Sequence, residues 1–409
     1  MHSVTSLPAG FFEELARPPF NADPHPRFDA LRSGPLPRLT TGEIILVNHS
    51  DALVALRDSR FEKPSIPTPP GPMRVLSKMF LLIDGGDHQR LRRAVSPLFS
   101  PAAADERNDE IRAEARTLLQ HGQRLDVIDE YANRLPLRLT GRWLGVSLDD
   151  QPTMRTAGKV LTDALDAPVP TTLRHTLRFI SAVITRRAHP IASARAVTAL
   201  ARLARLRLAG ADAGRCPDGA AFLDQLSRAR KTGEIDDDEA VATWILLLVA
   251  GYETTANLIG TAAHHLLARP ELLEQVRSDL SLVPSIVEEA LRFDSPVPVT
   301  ARRATDDVDL PGGSVRAGQT VIVVLTAANR DPDVFDDPNR FDIERDTARH
   351  LGFAHGAHFC LGAHLARAEA RTGIEELVAR SPRLIGTPLW REAFGTRGIA
   401  HLPVELTHL

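Results

Sequence analysis

The chain has 409 residues, 43% hydrophobic and 25% charged, the proportions of a soluble globular protein long enough to bury a large core and enclose a cofactor. A formal net charge of −3 gives no electrostatic case for a nucleic-acid partner. Only two cysteines occur, Cys216 and Cys360, which excludes a disulfide framework and suits a reducing compartment.

The first residues lack the basic-then-apolar layout of a signal peptide. The longest apolar run, 244–251, is too short to cross a bilayer. A cytoplasmic protein with no membrane partner is therefore expected. Residues up to about Pro24 are proline-punctuated and read as irregular. Small β regions are expected over 36–48, where β-branched residues are bounded by turn formers, over 300–324 and over 383–409. The proline-rich run 65–72 reads as a surface loop over a pocket. Residues 87–293 carry helical periodicity, with breaks near Pro101, Gly122, Pro168, Pro190 and 211–218. The acids at 236–239 suit the start of a long helix reaching Arg269. A further helix is expected over about 284–293 and another over 361–380, with an Asp- and Pro-rich coil from 329 to 350 between them. No repeat or linker divides the chain, so 1–409 is expected to form a single mainly α domain with small β-sheets.

The most informative stretch runs from Leu351 to Arg367. Cys360 follows a glycine-containing loop and precedes a strong helix former, so a thiolate there gains from backbone N–H groups and the positive end of the helix. Gly356 and Gly362 let the main chain approach something large and flat. One lone anionic sulfur suits one axial bond to a haem iron. A rival reading is a zinc site, since His355, His358, Cys360 and His364 share one short run.

Within the long helix stand Ala250, Gly251, Glu253 and Thr254. A mid-helix glycine costs about 1 kcal/mol relative to alanine, which suggests a close approach to the backbone. Thr254 can bond the carbonyl four residues back, and with Glu253 it forms an acid–alcohol pair suited to relaying protons. A kinked core helix is the alternative. Glu289 and Arg292 stand at i, i+3, an ion-pair spacing. Glu288 lies four before Arg292, so an ordinary surface pair is also open. His88 and Arg92 share one helical face.

Phe353, Gly356, Cys360 and Gly362 match F-x-x-G-x-x-x-C-x-G. Residues 250–255 match A-G-x-[D/E]-T-T, and Glu289–Arg292 match E-x-x-R, all in one order. Over His88 to Arg367 the chain thereby resembles the cytochrome P-450 haem-thiolate monooxygenases of the soluble bacterial type. The resemblance implies a single triangular-prism, mainly helical fold enclosing one haem b, with Cys360 as the iron ligand. Ala250 and Gly251 would open a dioxygen groove, and Glu253 and Thr254 would supply the proton route. Glu289 and Arg292 would be structural, joined by a partner from the coil containing Arg340, Phe341 and Arg345. His88, Arg92, Arg302 and His358 would hold the propionates, with Phe353 and Gly362 shaping the loop and Arg303 facing away from Arg302.

The implied substrate pocket draws on Leu247, Leu248, Val297, Val299 and Phe394, with the 69–82 loop and the His189–Pro190 turn. These are mostly aliphatic, so a largely apolar small molecule is expected. Dioxygen, a separate ferredoxin and a ferredoxin reductase are the implied partners of a monomer, with Arg93 as a docking contact. Hydroxylation is the default outcome. Oxidative coupling or desaturation is the alternative, and a catalytically silent recruitment domain is the non-enzymatic one. Abundant alanine and arginine suit a GC-rich genome, pointing to actinobacterial secondary-metabolite tailoring such as antibiotic biosynthesis. The basic stripe Arg186–Arg207 reads either as a docking face for a carrier protein or acidic substrate, or as a solvated helix face.

Overall fold

The computed structural model describes residues 6–407, apart from 66–67, 70, 121–122, 148–149, 151, 158–159, 161–189 and 218. Its axis is the central helix Asp237–Leu267. Asp236 accepts from the Glu239 N–H while the Glu239 carboxylate accepts from the Asp236 N–H, so two otherwise unpaired donors are satisfied at the start. Three acids in the first turn complement the helix dipole. The helix is apolar nearly all round and correspondingly buried. By length and composition it passes for a membrane span, yet 83% of its most apolar window is buried within the protein.

Around it pack Arg134–Trp143, Pro190–Asp212, Ala221–Lys231, Val283–Phe293 and Ala363–Val378. Trp244 is fully buried, and its indole N–H donates to the Leu144 carbonyl at 3.1 Å, tying the central helix to its neighbour. Tyr131, also fully buried, donates to the Gly373 carbonyl at 2.7 Å. Burial of such side chains contributes about 1.5–3 kcal/mol each.

A six-stranded sheet lies beside the helices, in the order Ser6–Leu7, Arg38–Leu39, Ile44–Leu46, Thr320–Val324, Val299–Ala304, Phe61–Glu62. Thr320–Val324 is buried along its whole length, pairing parallel with Ile44–Leu46 and antiparallel with Val299–Ala304. Arg302 therefore sits on an interior strand, opposite Val321. A three-stranded sheet joins Pro382–Leu384, Pro403–Leu406 and Arg124–Asp126.

The long helix, the 283–293 helix and the helix after Cys360 fall where periodicity puts them. The differences lie in short elements. Phe11–Leu15 is helical within the stretch read as irregular, and its phenylalanines pack with Phe28 and Phe394. Gly71–Lys78 is a 3-10 helix within the expected loop region. Pro270–Ser278 is a helix with proline in its first turn. Arg124–Asp126 is a strand inside the region read as helical; it pairs with Glu405 and its neighbours, and a three-residue strand carries no period of its own.

Candidate active site

Cys360 is held at the mouth of the Ala363–Val378 helix by a tightly bonded loop. The Cys360 N–H donates to the Phe353 carbonyl at 3.0 Å, and Leu351 N–H donates to Asn329 Oδ1 at 2.6 Å. His355 Nδ1 accepts from the Gly356 N–H at 2.7 Å. Gly356 adopts φ +72°, and a Cβ there would lie 2.1 Å from the Leu56 carbonyl oxygen, so no other residue fits. Arg92 donates to the Phe359 carbonyl at 2.7 Å. Arg367 stacks over Phe353 at 4.5 Å while forking onto Glu288 at 2.6 and 2.8 Å.

The Cys360 thiol is pushed up by burial, against the opposing pull of the Gly362 N–H, Arg92 and Arg367. A free nucleophile needs the reverse balance.

Histidine and arginine side chains gather nearby in the fold. His88 is buried 4.3 Å, ring to ring, from His358, and its Nε2 has no hydrogen-bond partner among the described residues. His358 Nε2 pairs with Asp84 Oδ1 at 2.7 Å, and burial followed by Lys63 lowers its pKa to about 4. Arg302 is only 2% exposed. It donates to Thr300 Oγ1 at 3.0 Å and to the Ala301 carbonyl at 2.8 Å, and no described carboxylate forms an ion pair with it. Burial lowers it to about 10, with Asp84 opposing. Arg303, next in the strand, is exposed, as the two-residue alternation requires. A buried guanidinium with no ion-paired acid among the described residues, an orphaned imidazole nitrogen and open space around Gly362 fit a flat group carrying carboxylates.

On the central helix, Ala250 is exposed and Gly251 and Thr254 are partly so, whereas their neighbours are buried. With Leu247 they form an i, i+3, i+4, i+7 stripe. Thr254 Oγ1 donates to the Ala250 carbonyl at 2.7 Å. The side of Gly251 where a Cβ would stand is turned to Thr140 at 3.4 Å, so the close neighbour there is the 134–143 helix. Glu253 is buried, its Oε1 accepting from Arg391 Nη1 at 2.6 Å. Val297 and Val299 are partly open. Leu248 is instead fully buried in the main core, about 100° round the helix from Leu247. Phe394 packs against Phe12 at 5.1 Å in the N-terminal cluster. These two do not join the partly exposed stripe.

Glu289 and Arg292 are both fully buried and paired by two 2.7 Å bonds. Arg292 also donates to the carbonyls of Asn329, Pro338 and Arg340 at 2.9, 3.0 and 3.2 Å. The coil thus contributes backbone oxygens, with Arg345 Nε 3.6 Å from Glu289. Glu288, the alternative partner, turns to Arg367 and His350.

The zinc grouping is not gathered. His355 faces Arg57 and His358 faces Asp84, and among the described residues no three metal-binding side chains converge. In the basic stripe, Arg186, Arg187 and the turn residue His189 lie outside the described residues. Arg205 and Arg207 pair with Asp238 and Asp150, while Val197 and Leu200 are fully buried opposite, the pattern of a solvated amphipathic helix. Sequence reasoning missed Lys63, Asp84 and Arg391, none of which stands in a motif. Asp84 alone carried a signal, four residues before His88.

A helical scaffold with a helix-mouth thiol, a buried arginine with no ion-paired acid and a buried histidine with an unpartnered nitrogen among the described residues, and a central helix partly open at Ala250 and Thr254 fits a haem-thiolate oxidoreductase. The comparisons agree. The cytochrome P450 family profile matches residues 151–380. A putative cytochrome P450 140 of Mycobacterium tuberculosis is 35% identical, covering 96% of this chain and 91% of its own. The cytochrome P450 monooxygenase PikC of Streptomyces venezuelae is 34% identical over 94% and 92%. Ligand-free CYP164A2 of Mycobacterium smegmatis superposes with a TM-score of 0.83 at 33% identity, covering 97% and 100%. The chain belongs to the cytochrome P450 family. Membership implies haem ligated by a cysteine thiolate, a small-molecule substrate, dioxygen and redox partners.

Proposed function

We propose that the protein is a monooxygenase carrying haem b on Cys360, that the whole chain acts as one domain, and that it hydroxylates a largely apolar small molecule in bacterial secondary metabolism. Electrons come from a separate ferredoxin and its reductase. The observation that carries the reading is Arg302, buried and without an ion-paired acid among the described residues, together with the neighbouring rings of His88 and His358 and with Arg92 bonded to the Cys360 loop.

In this reading Arg302, Arg92, His88 and His358 hold the haem carboxylates by charge-assisted hydrogen bonds. Haem bound through Cys360 supplies the activation of dioxygen, which the thiolate promotes by donating electron density. The protein supplies positioning and protons. The Thr254 hydroxyl proton rests on the Ala250 carbonyl, leaving its oxygen as an acceptor toward the open side. Delivering that proton requires the hydroxyl to rotate off Ala250, and Glu253 replaces it once its carboxylate has left Arg391 and taken up a proton from solvent. Leu247, Ala250, Val297 and Val299 present aliphatic surface to the substrate and exclude water.

The test is reconstitution with hemin. The ferrous carbonyl adduct should show the red-shifted Soret band of sulfur ligation, and Cys360→Ala should abolish it. A wild-type adduct lacking that band refutes the proposal. Product mass separates hydroxylation, which adds one oxygen, from coupling or desaturation, which removes hydrogens. Arg93 is exposed on the His88 helix and suits an acidic ferredoxin. Arg93→Ala should weaken ferredoxin-supported turnover and spare peroxide-supported turnover.

A further inference from the structure

We propose that Lys63 is an additional binding residue for a cofactor carboxylate, completing the rim of hydrogen-bond donors formed by Arg302, His358, His88 and Arg92. The inference rests on the haem-thiolate reading above and adds to it a residue that no motif contains.

Lys63 follows the edge strand Phe61–Glu62, which pairs with the Arg302 strand through Glu62 and Arg303. Its Nζ lies 3.4 Å from Thr300 Oγ1, the same hydroxyl to which Arg302 Nη1 donates at 3.0 Å. Two cations thus meet on one neutral oxygen. The nearby acid, Asp84, is already engaged. Its Oδ2 accepts from the backbone N–H of Lys63 at 2.6 Å and its Oδ1 from His358 at 2.7 Å. Among the described residues it forms no ion pair with either the Lys63 ammonium or Arg302. Burial, then Arg302, lowers Lys63 to about 7, with Asp84 opposing. Lys63 is half-buried and Arg302 almost fully so, and like charges brought together where water is scarce are costly unless an anion joins them. A merely structural lysine has little to gain here, since a 3.4 Å contact to a hydroxyl is a weak bond. A carboxylate arriving beside Arg302 satisfies both cations at once.

The experiment compares wild type, Lys63→Met and Lys63→Arg, each loaded with hemin or with hemin dimethyl ester, whose carboxylates are blocked. Haem transfer to excess apomyoglobin is followed by Soret absorbance, a readout independent of turnover. With hemin, Lys63→Met should lose the cofactor about tenfold faster than wild type, the scale of one hydrogen bond to a charged group. Lys63→Arg should restore retention to within about threefold, because a charge remains. With the ester, Lys63→Met and wild type should differ by less than about twofold. Equal retention with hemin overturns the assignment. So does a Lys63→Met defect that persists with the ester, which marks a packing role. Thermal melts of the cofactor-free forms identify a folding defect, and Lys63→Arg then decides between charge and shape. Wild type that takes up neither form refutes the haem reading itself, a result distinct from failure of the Lys63 assignment alone.

Discussion

Replacing Arg292 by alanine tests the physical account most severely. Arg292 is fully buried and makes five hydrogen bonds: two to Glu289 and three to carbonyls of the 329–340 coil. Its guanidinium also lies 5.4 and 5.3 Å from the rings of Phe293 and Phe335. Alanine leaves the Glu289 carboxylate buried, with the Asp342 N–H at 2.8 Å and Arg345 at 3.6 Å as remaining partners. Breaking a buried pair this way costs about 3–5 kcal/mol. The three carbonyls lose their donor too, so the upper end of that range applies. A chain of 409 residues shifts by about 1.2 °C per kcal/mol, giving a drop in melting midpoint of roughly 4–6 °C. Arg292→Lys should fall by about half as much, because an ammonium keeps the charge but cannot span Glu289 and the coil together. Circular dichroism melts at matched cofactor loading measure both. An alanine variant within about 2 °C of wild type would refute the claim that this pair anchors the coil behind the Cys360 loop.

Gly356→Ala should prevent cofactor loading, because its Cβ would strike the Leu56 carbonyl at 2.1 Å with φ at +72°; soluble variant with a normal Soret-to-protein ratio would contradict this. Glu288 is held at about 2: burial alone would raise it, but Arg367 and His350 outweigh burial. Its folded pKa is thus depressed, so its stabilisation is complete above about pH 5 and disappears as pH falls toward 2. Allowing for its partial exposure, this is on the order of 2 kcal/mol. The gap in stability between wild type and Glu288→Gln should be constant from pH 6 to 8 and narrow progressively as pH falls from about 4.5 to 2; a constant gap throughout refutes the linkage. Glu253→Gln should lower product formation about a hundredfold while leaving the resting Soret band in place. Arg391→Ala, which frees the Glu253 carboxylate, should alter the pH profile of turnover without reducing haem content.

Much of this architecture was legible from residue order alone. Periodicity placed the 237–267 helix and the helix after Cys360, since a helix long enough to bury a face repeats that face several times. The family was legible because its motifs are local: the bends around Cys360 need glycine at fixed offsets, and Gly356 meets that need against the Leu56 backbone. Glu289 and Arg292 are three residues apart, so the helix itself brings them together. Pocket residues were less legible. Leu247 and Leu248 are adjacent in sequence, yet only Leu247 shares the stripe with Ala250 and Thr254, and a single position turns a side chain 100°. Phe394 was assigned to a pocket but belongs to the packing around Phe12, which no local pattern announces.

Composition, period and motif therefore determined the helical class, the family and the position of the thiol, because each depends on residues a few positions apart. The tertiary structure alone decided which charges meet. Lys63 and Arg302 are brought to one hydroxyl by strand pairing, and Glu253 meets Arg391 across 138 positions of chain. Such encounters are set by how sheets and helices pack, and the energy of a buried charge depends on its whole surroundings rather than on its neighbours in sequence.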